Sequence, residues 1–287
     1  MIELNKVYTE NCLQTTARMP DNLVELFITS PPYSNLRNYH KFSWDFETIA
    51  RELYRILKPG GVLVWVVGDK TYKGTEELTP FRQAIYFQDI VGFNTWDTMI
   101  YVRQSPFPAN VRYNQNFEFM FVFSKGKPKT FNPLKEPKSD KEIEKIKKQR
   151  INVSTKSYRN KDGSITKAAS DDRIVKRLEN SKNNLEKTRS NIWYIPAGYR
   201  MSAKEVIAHK HPAIFPEKLV NDHLLSWSEQ KDLIYDPFAG SGTTGIVAKR
   251  LNRNFILSEI SSEYCDIIKE RFRLEFGDEL WSLLYTF

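Results

Sequence analysis

Cysteine is nearly absent from this chain of 287 residues: only Cys12 and Cys265 occur, far apart and outside any CxxC spacing. That speaks against a disulfide framework, a zinc site and a secreted protein. Histidine is scarce too, and His40, His209, His211 and His223 have no ligand spacing, so no metal is expected. No apolar run is long enough to span a bilayer, and Met1 to Lys6 hold no apolar segment of the kind that leads a secreted chain. The expectation is a cytoplasmic protein with no membrane partner. There is no internal repeat. The stretch Gly240-Ser241-Gly242-Thr243-Thr244 lacks the lysine that a phosphate-binding loop sets before its Ser or Thr, which counts against ATP or GTP.

What is present is charge, unevenly placed. Of a net +8, the segment from Lys125 to Arg189 carries 20 Lys and Arg against 9 Asp and Glu, a net +11 that leaves −3 for the rest. A near-neutral body with one basic segment points to a polyanionic partner met through that segment.

The length suits one large α/β domain plus an insertion. Leu23 to Ile28 reads as a buried strand. Phe46, Ile49, Ala50, Leu53, Ile56 and Leu57 recur at helical spacing behind a cap at Ser43 or Asp45, and Lys58-Pro59-Gly60-Gly61 ends that helix. Val62 to Val67 is the continuous apolar run of a sheet covered on both faces. A helix from about Pro80 to Ile90 and strands at Asp97 to Arg103 and Phe117 to Ser124 follow. The pattern breaks over residues 125–190, where large apolar residues are few, and resumes at Asn191. His211 to Pro216 leads into a helix. A strand at Asp232 to Tyr235, a helix through Val247 to Leu251, a strand at Asn254 to Ser258 and a long helix from Ser262 to Phe276 complete the order. Such alternation signals a mostly parallel α/β sheet. Residues 1–124 and 191–287 are expected to be two halves of one domain, with 125–190 inserted between them.

Two constellations sit at strand ends, where open α/β sheets bind ligands. The first is Ser30-Pro31-Pro32-Tyr33. Proline donates no N–H and holds the preceding residue extended, so the main chain is rigid and its carbonyls are free to accept. Ser30, the Pro31 carbonyl and the face of Tyr33 suit a planar ring with an exocyclic NH2, offering two acceptors and a stacking surface. The second is Asp236-Pro237-Phe238-Ala239-Gly240-Ser241-Gly242-Thr243, between a strand and a helix. Gly240 and Gly242 allow close backbone approach, and the helix N-terminus suits a carboxylate. Glu259, 17 residues after Gly242 at the end of the next strand, can accept from both hydroxyls of a ribose. Carboxylate, ribose diol and adenine are the parts of S-adenosylmethionine.

Together these motifs resemble those of the DNA amino-methyltransferases. Ser30 to Tyr33 is similar to their catalytic motif, Asp236 to Thr243 to their S-adenosylmethionine loop, and His211 to Pro216 to the segment that packs beside the cofactor. Leu57-Lys58-Pro59-Gly60-Gly61 is also typical. The resemblance covers nearly everything outside the insertion. Its order of catalytic motif, basic insertion and cofactor loop matches the β-type permutation, in which the insertion is the target-recognition domain. The resemblance implies a Rossmann-like, seven-stranded, mostly parallel sheet with one antiparallel strand. It implies catalysis by Ser30, Pro31, Pro32 and Tyr33, with S-adenosylmethionine held by Asn11, Phe215, Asp236, Phe238, Gly240, Ser241, Gly242, Thr243 and Glu259. Asn11-Cys12 departs from the Asp that many members use for the adenine, and Phe117-Glu118-Phe119 stands where members often have His-Glu.

The reaction so implied is methyl transfer to an exocyclic amino nitrogen of duplex DNA after the base flips out. The serine version of the motif is more often found with N4 of cytosine and the aspartate version with N6 of adenine. Cytosine N4 is therefore the first expectation and adenine N6 the alternative. Candidate DNA contacts are Arg37, Lys156, Arg159, Arg173, Lys176 and Arg177, the lysines on phosphates and the arginines also on guanine edges. A homodimer and a cognate restriction endonuclease are further partners that the resemblance allows. Carbon-5 methylation of cytosine would need a cysteine in a comparable turn, which neither Cys12 nor Cys265 has. Methylation of RNA or a protein amide, and nucleic-acid binding by an inactive scaffold, are the other readings left open.

Overall fold

The computed structural model of the chain describes residues 2–32, 45–103, 112–149, 157–167, 185–198 and 201–278. They form two compact units, one of Met1–Asn132 with Asn191–Phe287 and one of Pro133–Ser190.

The first unit is built on strands β1 (Lys6–Tyr8), β2 (Val24–Thr29), β3 (Leu57–Val67), β4 (Asn94–Val102), β5 (Phe117–Ser124), β6 (Ile192–Tyr194), β7 (Leu233–Asp236) and β8 (Asn254–Ser258). They lie in the order β1-β8-β7-β2-β3-β5-β4-β6, and β5 alone runs against its neighbours. The mostly parallel sheet with one antiparallel strand is thus as expected, but it has eight strands, not seven. The addition is β6, whose three residues pair with Ile100, Tyr101 and Val102 at the sheet edge and are anchored by the buried Trp193. So short a ladder has no periodicity to read.

The core explains the central strands. Val62 to Val67 are all at most 1 % exposed, as a strand sandwiched between helical layers requires. On one face, Trp65 packs edge-on to Phe87 at 5.1 Å and its Nε1 donates to Gln83 Oε1 at 2.9 Å.

The helices are α1 (Cys12–Thr16), α2 (Phe46–Ile56), α3 (Thr79–Ile85), α4 (Glu217–Trp227), α5 (Thr243–Arg250) and α6 (Ser262–Phe276). Asp45, one of the two expected caps, accepts from Thr48 N at 3.1 Å and starts α2. α2 ends at Ile56, just before Lys58 to Gly61, and β3 already begins at Leu57. The helix expected to run to Ile90 changes at Tyr86 into a wider turn, Tyr86–Val91. It closes where Gly92 N and Phe93 N both donate to the carbonyl of the buried Phe87.

The second unit consists of short pieces. Lys135–Pro137 pairs with Glu186–Thr188, Ser157–Arg159 pairs with Ile165–Lys167, and a helix spans Asp140–Gln149. It starts at Pro133 and not at Lys125, for a local reason. Lys129 N donates to Gly60 O, Asn132 N to Ser226 O, and Phe131 stacks on Trp227 at 4.7 Å, so residues 125–132 pack with the sheet. Among the described residues no helix is long and apolar enough to cross a membrane.

Candidate active site

Strands β8, β7, β2 and β3 are parallel neighbours, so the residues that follow them share one edge of the sheet. Thr29 ends β2 and Asp236 ends β7, 207 residues apart, and Thr29 Oγ1 donates to Asp236 Oδ1 at 2.7 Å. Thr244 Oγ1, in the first turn of α5, donates to Asp236 Oδ2 at 2.6 Å, and Phe238 N to Oδ1 at 3.0 Å. One buried carboxylate therefore knots the strand that delivers Ser30 to the loop that begins α5. Burial pushes the Asp236 carboxyl up to about 6, against the pull of the threonine and amide donors.

The loop turns at Gly240 (φ +53) and Gly242 (φ +78). A Cβ at 240 would stand 3.1 Å from the His211 ring, and one at 242 would stand 2.9 Å from Ile268 on α6. Left-handed backbone and tight contact with protein together demand glycine at both places. His211 has the packing role its setting suggests: its Nδ1 accepts from Ala213 N at 3.1 Å and its ring meets Tyr264 at 4.3 Å. Glu259, just past β8, accepts from Gly240 N at 2.8 Å through Oε2 and from Ser261 N at 2.9 Å through Oε1. Burial raises its carboxyl to about 7, although both amide donors favour the ionised form.

These elements enclose a cleft of about 1060 Å³, counting the open space at its mouth. Its wall brings together Ser30, Pro32, Asn11, Phe215, Asp236, Phe238, Gly240, Ser241, Thr243 and Glu259. Of the expected cofactor residues only Gly242 is off that wall; Pro31 is buried and also off it. Tyr33, Arg37, Lys156, Arg173, Lys176 and Arg177 lie outside the described residues, and Arg159 ends the strand Ser157–Arg159 in the second unit. Cys12 is on the wall, but burial pushes its thiol up to about 12, which disqualifies it as a nucleophile at neutral pH.

Sequence reasoning missed three parts. Asn11 caps α1, accepting from Leu13 N at 2.9 Å while Gln14 Oε1 accepts from Asn11 N at 3.1 Å. That reciprocal cap was present in the sequence as Asn11-x-x-Gln14. Beside it, Glu10 faces the cleft at the end of a hydroxyl chain. Tyr235 Oη lies 2.9 Å from Ser258 Oγ, which donates to Thr15 Oγ1 at 2.8 Å, which in turn donates to Glu10 Oε1 at 2.7 Å. The third is Arg271 of α6, wholly buried behind the glycine loop. It donates to Ser241 O at 2.8 Å, Thr243 Oγ1 at 2.9 Å, Glu205 Oε2 at 3.0 Å and Glu217 Oε1 at 2.8 Å.

The model of a family described as DNA methylase matches residues 24–270. The orphan methyltransferase M.BamHII of Bacillus amyloliquefaciens is 49% identical over 257 residues, covering 88% of this chain and 90% of its own. Among solved structures, the PvuII DNA methyltransferase, described as cytosine-N4-specific, superposes with a TM-score of 0.64 at 23% identity, covering 96% of this chain and 90% of that one. TTHA0409 of Thermus thermophilus, complexed with S-adenosyl-L-methionine, gives 0.59 at 23% identity, over 94% and 93% of the two chains. At these identities the two structures show a shared fold.

Proposed function

The chain belongs to the N6/N4 DNA methylase family, and from that premise we propose that it transfers a methyl group from S-adenosylmethionine to N4 of cytosine in duplex DNA. The observation that carries the reading is the Thr29–Asp236–Thr244 knot, which sets Ser30 and the glycine loop on one cleft. The cleft suits the cofactor in its parts. Glu259 offers carboxylate oxygens to a ribose diol, the start of α5 offers amides and a positive dipole end to a carboxylate, and Asn11 and Phe215 flank the remaining space. When bound, S-adenosylmethionine supplies a methyl already activated on a sulfonium.

The protein's own work is orientation. An exocyclic amino nitrogen is a poor nucleophile because its lone pair is delocalised into the ring. The Ser30 hydroxyl and the Pro31 carbonyl accept hydrogen bonds from its two N–H groups, draw the nitrogen towards tetrahedral geometry and turn the lone pair towards the methyl; once methylated, the nitrogen gives up one N–H proton to solvent. Tyr33 stacks on the flipped base, and the rate comes from positioning and from stabilising the charge that grows on nitrogen. The basic second unit, Arg159 included, reads the target.

Serine at position 30 supports cytosine, and adenine N6 is the second reading, since the family spans both. Incubation with S-adenosylmethionine and unmethylated DNA, digestion to nucleosides and mass spectrometry decide between them. N4-methylcytosine is expected; N6-methyladenine would overturn the base assignment and keep the site. Neither product, with cofactor binding intact, would move RNA or a protein amide to first place.

Glu259 makes cofactor affinity pH-dependent. Its carboxyl sits near 7, and only the ionised form can accept from both ribose hydroxyls. Affinity for S-adenosylmethionine, measured by calorimetry, should weaken as pH falls below 7, approaching about tenfold per unit. Glu259→Gln should bind more weakly and lose that slope, whereas the same slope in the variant would assign the titration to another group. Stability of the free protein runs the other way. Folding raises both Glu259 and Asp236 above their ordinary values, so the fold binds more protons than the unfolded chain and loses stability as pH rises from about 4 to 7.

A further inference from the structure

We infer that the hairpin after β3, with Lys73 and Arg112 at its tip and flank, is a DNA-phosphate contact separate from the basic second unit. The inference rests on the methylase reading and adds a site to it. β3 pairs in parallel with β2, Thr29 opposite Trp65, and ends at Val67. The chain then forms a small antiparallel hairpin, Thr71 opposite Glu76 and Tyr72 opposite Thr75. It therefore rises from the strand beside the one that delivers Ser30, at the same edge of the sheet and within the same unit.

The tip is basic and aromatic. Tyr72 is 55% exposed, and the ammonium groups of Lys70 and Lys73 lie 5.4 and 5.3 Å from its ring centre. Arg112, contributed from the chain leading into β5, donates to Thr71 Oγ1 at 3.1 Å and to Gly74 O at 2.7 Å. Two cations thus flank one exposed ring, and a third, Arg112, is held on the same hairpin. Two carboxylates face them: Glu77 pairs with Lys70 at 3.6 Å, and Glu76 lies exposed on the returning strand. Lys70 is therefore largely neutralised, and Lys73 and Arg112 are the cations left to meet a phosphate. Outside residues 125–189 the chain carries a net −3, so this concentration is not a property of the whole surface.

Flipping a base requires the phosphates on either side of it to be held in fixed relation to the catalytic residues. A contact borne only by a different unit cannot fix that relation, whereas this hairpin follows β3, the strand paired with the one that ends at Thr29, just before Ser30. Exposed aromatic rings among cations are also the means by which proteins hold unstacked nucleotides.

The test is the salt dependence of duplex binding by the full-length protein, followed by fluorescence anisotropy. Each lost phosphate contact lowers the slope of log K against log salt by about 0.9. Lys73→Gln/Arg112→Gln should be shallower than wild type by about 1.8. Its affinity for S-adenosylmethionine should be unchanged, and Lys73→Arg/Arg112→Lys should keep the slope. Arg112 also braces the hairpin, so Lys73→Gln, which removes no hydrogen bond among the described residues, must by itself lower the slope by about 0.9. A wild-type slope in that single variant overturns the inference while leaving the methylase reading in place. Absence of salt-dependent duplex binding by the wild-type protein would instead remove DNA as the substrate.

Discussion

Replacing Ser30 by alanine is expected to lower turnover on DNA by about 10²- to 10³-fold, the range seen when one preorganised polar group is removed from a reacting centre. Affinity for S-adenosylmethionine should stay within about twofold, well under one power of ten in binding. The separation follows from where the hydrogen bonds lie. The bonds that fix Asp236 come from Thr29, Thr244 and Phe238, so removing the neighbouring hydroxyl does not undo the knot beneath the cleft. Ser30 is on the cleft wall. Single-turnover methylation with calorimetry of cofactor binding measures both quantities on one preparation. Thr29→Val is the contrasting variant: it removes a donor from a buried carboxylate and should weaken cofactor binding and turnover together. If Ser30→Ala behaved like Thr29→Val, Ser30 would belong to the scaffold and not to the chemistry.

The difference between these two neighbours marks what can be read from sequence. Both motifs were legible because each is local: a buried strand broken by two prolines, and a strand, glycine turn and helix with an acid on the next strand. The Val62 to Val67 stretch of β3 was legible because a strand buried on both faces is an unbroken apolar run, and these residues are buried throughout. What joins distant segments was not legible. Thr29 looks like any strand residue until Asp236, 207 positions later, is placed beside it. Lys70 and Lys73 flank Tyr72 from within the hairpin, but Arg112 reaches Gly74 from a distant segment, an approach that depends on the pairing of β5 with β3. Boundaries failed for a related reason. Residues 125–132 have the composition of the insertion, yet Phe131 finds Trp227 and stays with the sheet.

Arg271 is the extreme case, since an arginine among Lys269, Glu270 and Arg273 reads as one more charge on a solvated helix face. In the fold it is fully buried and holds Glu205 and Glu217 on one side and Ser241 and Thr243 on the other. Arg271→Met should cost about 3–5 kcal/mol, because removing one member of a buried ion network strands the others. That corresponds to a melting point lower by on the order of 10 °C. Glu217 would still have Arg250, at 2.9 Å, so most of the loss falls on Glu205, whose partner among the described residues is Arg271. Arg271 is not on the cleft wall, and it touches the glycine loop only from behind. The variant should therefore bind S-adenosylmethionine more weakly yet recover near-normal turnover at saturating cofactor below its melting point. Arg271→Lys keeps the charge but not the planar fork and should fall between the two. A loss of turnover that saturating cofactor does not restore would mean that the loop's position, and not merely its stability, depends on this side chain during transfer.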